Sequence, residues 1–355
     1  MTSHASRTTG VLMTVAVTSS LLFTTSPLSA QAACMGRAVT INSDAALIEG
    51  TDGDDVILAG PSANIINAGA GDDRICAGDG NDIIDAGEGR DRVRAGGGND
   101  TVFGGLGRDV IDGNAGRDTI DGGPQRDVIR GNSGADTIDG GNHGDKILGK
   151  VGPDVLRGSP GNDIIDGGDG TDTILGGRGD DALFGGSQDD TINGEAGNDV
   201  IDGGDDDDEL LGSIGDDTII GGNGNDTIEG GDGADHLLGD DGRQFDEPGT
   251  TTFFPGGDDI IRGGVGDDYV GGEGGNDQLF GDDGSDIVDG FQGNDVVSGG
   301  ASHDLITGGA GSDDLSGGTG NDRCWPEFLL VSVGTAQVNP GDSDVGCEEV
   351  NGVFE

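Results

Sequence analysis

The chain has 355 residues, of which 78 are glycine and only 3% are aromatic. Acidic residues number 69 against 17 Lys and Arg, a formal net charge of −52. Such a surface argues against nucleic acid and anionic membranes as partners and in favour of cations.

Residues 1–32 read as a secretory signal peptide. Arg7 gives a weakly positive start, Val11 to Phe23 is apolar but diluted by Thr and Ser, and Ala30-Gln31-Ala32 fits the A-x-A cleavage pattern. The competing reading is a short membrane anchor, but the stretch falls below the ~20 apolar residues that a span needs. The mature protein is therefore expected to be secreted, extracellular and soluble, with no membrane span. Residues 33–49 follow as an N-terminal cap.

From Gly50 the sequence repeats every nine residues. One frame runs unbroken from Gly50 to Glu247, which is 22 copies, and a second from Phe254 to Trp325, which is 8 copies. Numbering each copy 1 to 9, position 6 is Asp in 28 of 30 copies, with Asn64 and Gln244 the exceptions. Position 8 is Ile, Val or Leu in 28 of 30, with Asp246 and Cys324 the exceptions. Position 4 is Gly in 24 of 30, and positions 3 and 5 are nearly free. A short period held this long means a solenoid, in which each unit contacts only its neighbours. The composition alone would describe a disordered chain; the strict aliphatic at position 8 argues that it folds.

Between the frames, residues 248–253 form an insertion, within the stretch Asp240 to Pro255 where the twenty-second copy decays. Pro248-Gly249 and Pro255-Gly256 punctuate turns. It reads as a surface loop, or as a binding loop that presents Phe253 and Phe254. After Trp325 the repeat stops, and residues 326–355 read as a C-terminal cap. Cys34, Cys76, Cys324 and Cys347 flank the array. Four cysteines allow three pairings; Cys34–Cys76 and Cys324–Cys347 are expected, each contributing about 3–4 kcal/mol on the chain-entropy model.

The triplet at positions 7 to 9 predicts a short strand with only position 8 pointing inward. One aliphatic row per sheet is a thin core against the entropy of ordering a glycine-rich backbone. Something else must hold the copies together. Glycines at positions 1 to 6 permit positive φ and tight turns that aim carbonyl oxygens to one side. Position 6 adds a carboxylate. Oxygen donors of flexible geometry suit calcium, and no soft or nitrogen ligand recurs to favour zinc or copper. The candidate ligands are Asp55, Asp73, Asp82, Asp91, Asp100, Asp109, Asp118, Asp127, Asp136, Asp145, Asp154, Asp163, Asp172, Asp181, Asp190, Asp199, Asp208, Asp217, Asp226 and Asp235 in the first block. In the second they are Asp259, Asp268, Asp277, Asp286, Asp295, Asp304, Asp313 and Asp322. Unneutralised carboxylates about 5 Å apart repel by about 0.8 kcal/mol in water and about 3 kcal/mol at an effective dielectric near 20. The metal-free chain is thus expected to be expanded and calcium to fold it.

The signature resembles that of the RTX (repeats-in-toxin) family, the haemolysin-type calcium-binding nonapeptide repeats G-G-x-G-x-D-x-U-x. That resemblance covers residues 50–325. It implies an all-β fold, a parallel β-roll or β-solenoid in which two copies make one 18-residue coil. Thirty copies then give fifteen coils, about 70 Å long at a strand spacing of ~4.8 Å. It also implies calcium between loops eighteen residues apart, held by turn carbonyls and the position-6 aspartates. Charge pairing does not decide the coil length by itself. Asp85/Arg94, Asp121/Arg130, Arg130/Asp139 and Arg157/Asp166 pair at nine residues, against Arg94/Asp112, Asp112/Arg130 and Asp139/Arg157 at eighteen.

Members of that family often join the roll to a protease, lipase or pore-forming domain and export it by a C-terminal signal. This chain departs on both counts, with an N-terminal leader and no passenger region. The expectation is a non-enzymatic, calcium-binding extracellular protein with a structural, adhesive or calcium-sequestering role and a cell-surface or matrix partner. The alternatives are a recognition module, or a calcium-dependent hydrolase whose site is unrecognised. Gly144 to Lys150 imitates a phosphate-binding loop, but Val151 stands where Ser or Thr is required. Arg90, Arg108, Arg117 and Arg126 precede the ligand aspartate directly. They predict weaker calcium binding over residues 86–130 than over 158–238, or are plain surface charge pairs.

Overall fold

A computed structural model describes residues 33–240 and 256–325, with two further strand segments at Ser343–Val345 and Cys347–Glu348. The leader, the insertion with Phe253 and Phe254, and most of the C-terminal cap lie outside the described residues. Among those described there is no helix, and so none long and apolar enough to cross a membrane.

The strands stack into two parallel sheets that face each other. One has 16 strands, from Leu47–Thr51 to Ser343–Val345. The other runs from Ile41–Asn42 to Cys347–Glu348 through strands that each pair with the strand one coil before and one coil after. The coil length is set by the register: Thr173 pairs with Thr191, Ile174 with Ile192 and Leu175 with Asn193, an offset of eighteen. The chain is a β-solenoid of two nonapeptides per turn and about fifteen turns.

Across the insertion the offset becomes 33, with Thr227 opposite Ile260 and His236 opposite Tyr269. An offset of 33 exceeds the coil length of 18 by fifteen residues. Gly239 and Asp240 start a half-turn that resumes at Gly256. Gly222 donates its N–H to the Gly239 carbonyl at 2.8 Å, and Gly239 donates to Gly271 at 2.9 Å, as in an uninterrupted coil. The decayed twenty-second copy is therefore not a half-turn of its own. Its first two residues are joined to the last seven of the next copy, and the ladder continues without a break.

Some strands, such as Thr119–Asp121, keep to the predicted triplet, but many are longer. Thr173–Arg178 spans positions 7 through 3 of the following copy. Alternation along an extended chain then turns positions 6, 8 and 1 to the inside, not position 8 alone. Ile165, Ile174, Leu183 and Ile192 are 0–1% exposed. They belong to a single aliphatic column between the sheets that runs from Ile48 to Cys324. Flanking that column on both sides are buried aspartates at position 6 and glycines or alanines at position 1.

The N-terminal end is stapled. Cys34 and Cys76 form a disulfide across 42 residues with Cα atoms 5.8 Å apart. Cys324 is also disulfide-bonded. The side chain of Cys347, its expected partner, lies outside the described residues.

Candidate metal centre

Every position-6 aspartate is buried, Asp55 at 6% exposure and the others at 0–3%. The coil sorts them into two rows, one at each rim of the roll, with members of a row eighteen residues apart. Asp163, Asp181 and Asp199 lie in one row, and Asp154, Asp172 and Asp190 in the other.

One carboxylate oxygen has a fixed duty. The backbone N–H of Asp154 donates to Asp172 Oδ1 at 2.7 Å, and that of Asp163 to Asp181 Oδ1 at 2.7 Å. The pattern runs along both rows and crosses the insertion, where Asp226 donates to Asp259 and Asp235 to Asp268, each at 2.8 Å. Each aspartate thereby ties its coil to the one before it.

The other oxygen is the anomaly. From Asp73 to Asp304, Oδ2 of the position-6 aspartates is buried with no hydrogen-bond partner. A buried carboxylate oxygen left unpaired is costly. Burial accordingly pushes these carboxyls above the ordinary value of 3.8, to about 7 at Asp154, Asp181 and Asp190 and to about 8 at Asp208, Asp259 and Asp277. The N–H bond from the preceding coil pulls the other way, and the carboxylates one coil above and below add to the rise.

Backbone oxygens converge on the same place. A side chain built on Gly176, at position 1, would meet Asp181 Oδ2 at 2.6 Å and the Gly194 carbonyl at 2.8 Å. On Gly290 it would meet Asp295 Oδ2 at 2.5 Å and the Gly308 carbonyl at 2.6 Å. Each position-1 glycine thus leaves a small oxygen-lined cradle beside its own aspartate and under the next coil. Its φ lies outside the left-handed region, unlike positions 2 and 4, where Gly168 has φ +106° and Gly170 +155°. The turn chemistry expected of all the glycines therefore belongs to positions 2 and 4, and position 1 is glycine for space.

Among the described residues no three His, Cys, Asp or Glu side chains gather into a cluster. Position 6 supplies the one buried loop carboxylate of a copy, so the remaining buried donors must be backbone carbonyls. An unpaired anionic oxygen beside carbonyl oxygens, with no nitrogen or sulfur donor, fits a hard divalent cation such as calcium.

The sequence signal does not mark every aspartate alike. Asp55 has both oxygens engaged: Thr40 Oγ1 donates to Oδ1 at 3.1 Å, while the Thr51 N–H and hydroxyl donate to Oδ2 at 2.8 and 2.9 Å. It closes the end of its row. Position 5, expected to be free, carries a second ladder of opposite direction. Asn198 donates its N–H to Asp180 Oδ1 at 3.1 Å, and Asn276 to Asp258 Oδ1 at 2.7 Å. Arginine at that position offers no acceptor to the coil above.

The apparent phosphate-binding loop is a strand, Lys146–Val151, with Ile147 in the core. The histidines do structural work in separate coils. His236 stacks on Tyr269 with ring centroids 4.8 Å apart, and His303 Nδ1 accepts the Asn321 N–H at 3.1 Å.

The family model for the RTX calcium-binding nonapeptide repeat matches the chain in ten segments, from residues 49–84 through 211–243 and from 256–288 through 289–324. No curated protein matches it.

Proposed function

Because the chain belongs to the RTX calcium-binding nonapeptide-repeat family, we propose that it is an exported calcium-binding roll with no catalytic role, acting outside the cell as a structural, adhesive or calcium-sequestering element. The observation that carries this reading is the repeated buried Oδ2 without a partner, set beside carbonyl oxygens in loop after loop. The position-6 aspartates from Asp73 to Asp322, together with the position-1 carbonyls, would hold the cation. Bound calcium supplies positive charge between stacked carboxylates. The residues themselves fix the coil spacing through Oδ1, exclude water by burial, and hold Oδ2 where burial disfavours the charged carboxylate, so that a bound cation would favour its deprotonated form.

Export is supported by the apolar leader ending in Ala30-Gln31-Ala32 and by the Cys34–Cys76 disulfide, a bond that persists in oxidising compartments. Expression of the full chain in its producing cell tests this. Mature protein beginning near Ala33 in the medium or on the cell surface supports the reading, and retention of the uncleaved chain inside the cell overturns it.

One observation favours a recognition role in addition. Leu47, Ile65 and Ile83 are exposed and sit in register on consecutive strands of one sheet, an apolar stripe on a highly acidic body. Replacing all three with Asn should abolish calcium-dependent attachment to the producer's surface if that stripe docks a partner, and leave it intact if it does not.

A further inference from the structure

The loops are not equivalent, and the difference lies at position 1. In the second to sixth copies this residue is Ala59, Ala68, Ala77, Ala86 and Ala95; from Gly104 onward every described position 1 is glycine. The five alanines are buried, four of them at 0% exposure, and they join the aliphatic column. On Gly176 a Cβ would stand 2.6 Å from Asp181 Oδ2 and 2.8 Å from the Gly194 carbonyl, closer than a real methyl tolerates, so a methyl at position 1 requires those oxygens to stand back from it. The backbone does not require glycine there, since φ at position 1 is not left-handed. The choice between alanine and glycine is a choice of what fills the cradle.

Other features of the same copies point the same way. Asp55 spends both oxygens on hydrogen bonds from Thr40 and Thr51. The second copy carries Asn64 in place of aspartate, and its Nδ2 donates to the Ala45 carbonyl at 2.7 Å. The disulfide reaches into the third copy at Cys76. Here the copies are held by side-chain hydrogen bonds, a covalent staple and extra apolar packing.

We propose that residues 50–103 form a calcium-free starter segment, in which a methyl group closes each cation cradle, and that cation binding begins at the loop of Gly104 and Asp109. The inference rests on the calcium reading above and divides the array that it treats as uniform. The starter is a folded template on which the calcium-dependent coils add one at a time. Asp73, Asp82, Asp91 and Asp100 then tie coils together through Oδ1, each accepting the N–H of the preceding coil, while their Oδ2 atoms, buried without a hydrogen-bond partner like those of the later copies, meet no cation.

Crystals of the full mature chain grown in calcium, with anomalous scattering recorded at long wavelength, test this site by site. The expected result is anomalous density beside the position-6 aspartates from Asp109 on and none beside Asp73, Asp82, Asp91 or Asp100. Density of equal height beside those four overturns the starter segment while leaving the calcium reading intact. No density anywhere overturns the calcium reading and the starter segment with it. In solution, the triple variant Ala77→Gly/Ala86→Gly/Ala95→Gly should raise the calcium bound per chain, measured by equilibrium dialysis, by up to three ions. An unchanged count would show that the methyl groups are not what closes these loops.

Discussion

Asp154 donates its backbone N–H to Asp172 Oδ1 at 2.7 Å, and this one bond spans the full eighteen-residue coil. Repeated along both rims, it makes the position-6 aspartates spacers between coils through one oxygen, and on the proposed calcium reading the other oxygen, from Asp109 on, is the one that meets a cation. Structure and metal binding are thus assigned to different atoms of the same side chain.

That division predicts opposite effects of one substitution. Asp172→Asn keeps an oxygen able to accept from Asp154 but removes a charge. Without calcium it should stabilise the chain by roughly 1 kcal/mol for each relieved neighbour. With saturating calcium it should destabilise, because an anionic donor is lost. Urea melts of the variant in chelator and in millimolar calcium check the pair of signs; destabilisation of the same size in both conditions would assign Asp172 a purely structural role.

The raised carboxyls fix a pH dependence. In the folded, calcium-free chain Asp154 and Asp190 titrate at about 7 and Asp208 and Asp277 at about 8, against 3.8 for an ordinary aspartate. The folded state therefore keeps protons that the unfolded chain has already released. Stability without calcium is greatest below about pH 4, falls as pH rises, and reaches its floor once pH passes the folded-state values of about 6 to 8. Circular dichroism in chelator should show β structure gained on acidification from pH 8 to pH 4. Calcium affinity should run the other way, falling as pH drops through the same window.

The Cys34–Cys76 bond closes a loop of 42 residues. Its removal by Cys34→Ser/Cys76→Ser should cost about 4 kcal/mol on the chain-entropy model. The loss should concentrate in the first coils, so amide exchange near Ile57 and Ile75 should accelerate while exchange near Ile192 stays slow.

Arginine at position 5 interrupts the outer ladder. Arg117 receives an acceptor from Asn99, its N–H lying 2.9 Å from Asn99 Oδ1, and returns none to the next coil. Arg117→Asn should restore the acceptor and add about 0.5–1.5 kcal/mol of stability in calcium. It should also tighten calcium binding by removing a competing cation beside Asp118. Thermal melts and calcium titrations of this variant check both effects.

Much of this architecture is legible in the sequence, because a strict period forces every unit into the same environment. The aspartate at position 6 and the aliphatic at position 8 mark the rims and the column directly. The eighteen-residue coil is not legible from charge pairs, since Arg130 sits opposite Asp112 at eighteen residues yet also lies nine from Asp121 and Asp139; in the folded chain Arg130 forms its ion pair with Asp112, at 3.1 Å. The role of position 1 was hidden because glycine suggests φ, whereas at Gly176 it answers to a crowding that exists only once the next coil is stacked. The path around the insertion was hidden for a related reason: residues from two decayed copies, Gly239–Asp240 and 256–262, combine into one half-turn.

The most direct test of the account is calcium bound per chain measured together with folding, by titrating calcium into dialysed mature protein while recording far-UV circular dichroism. The account predicts an expanded chain at neutral pH that gains β structure in step with the uptake of many ions. A chain already compact in chelator that takes up only one or two ions would contradict it.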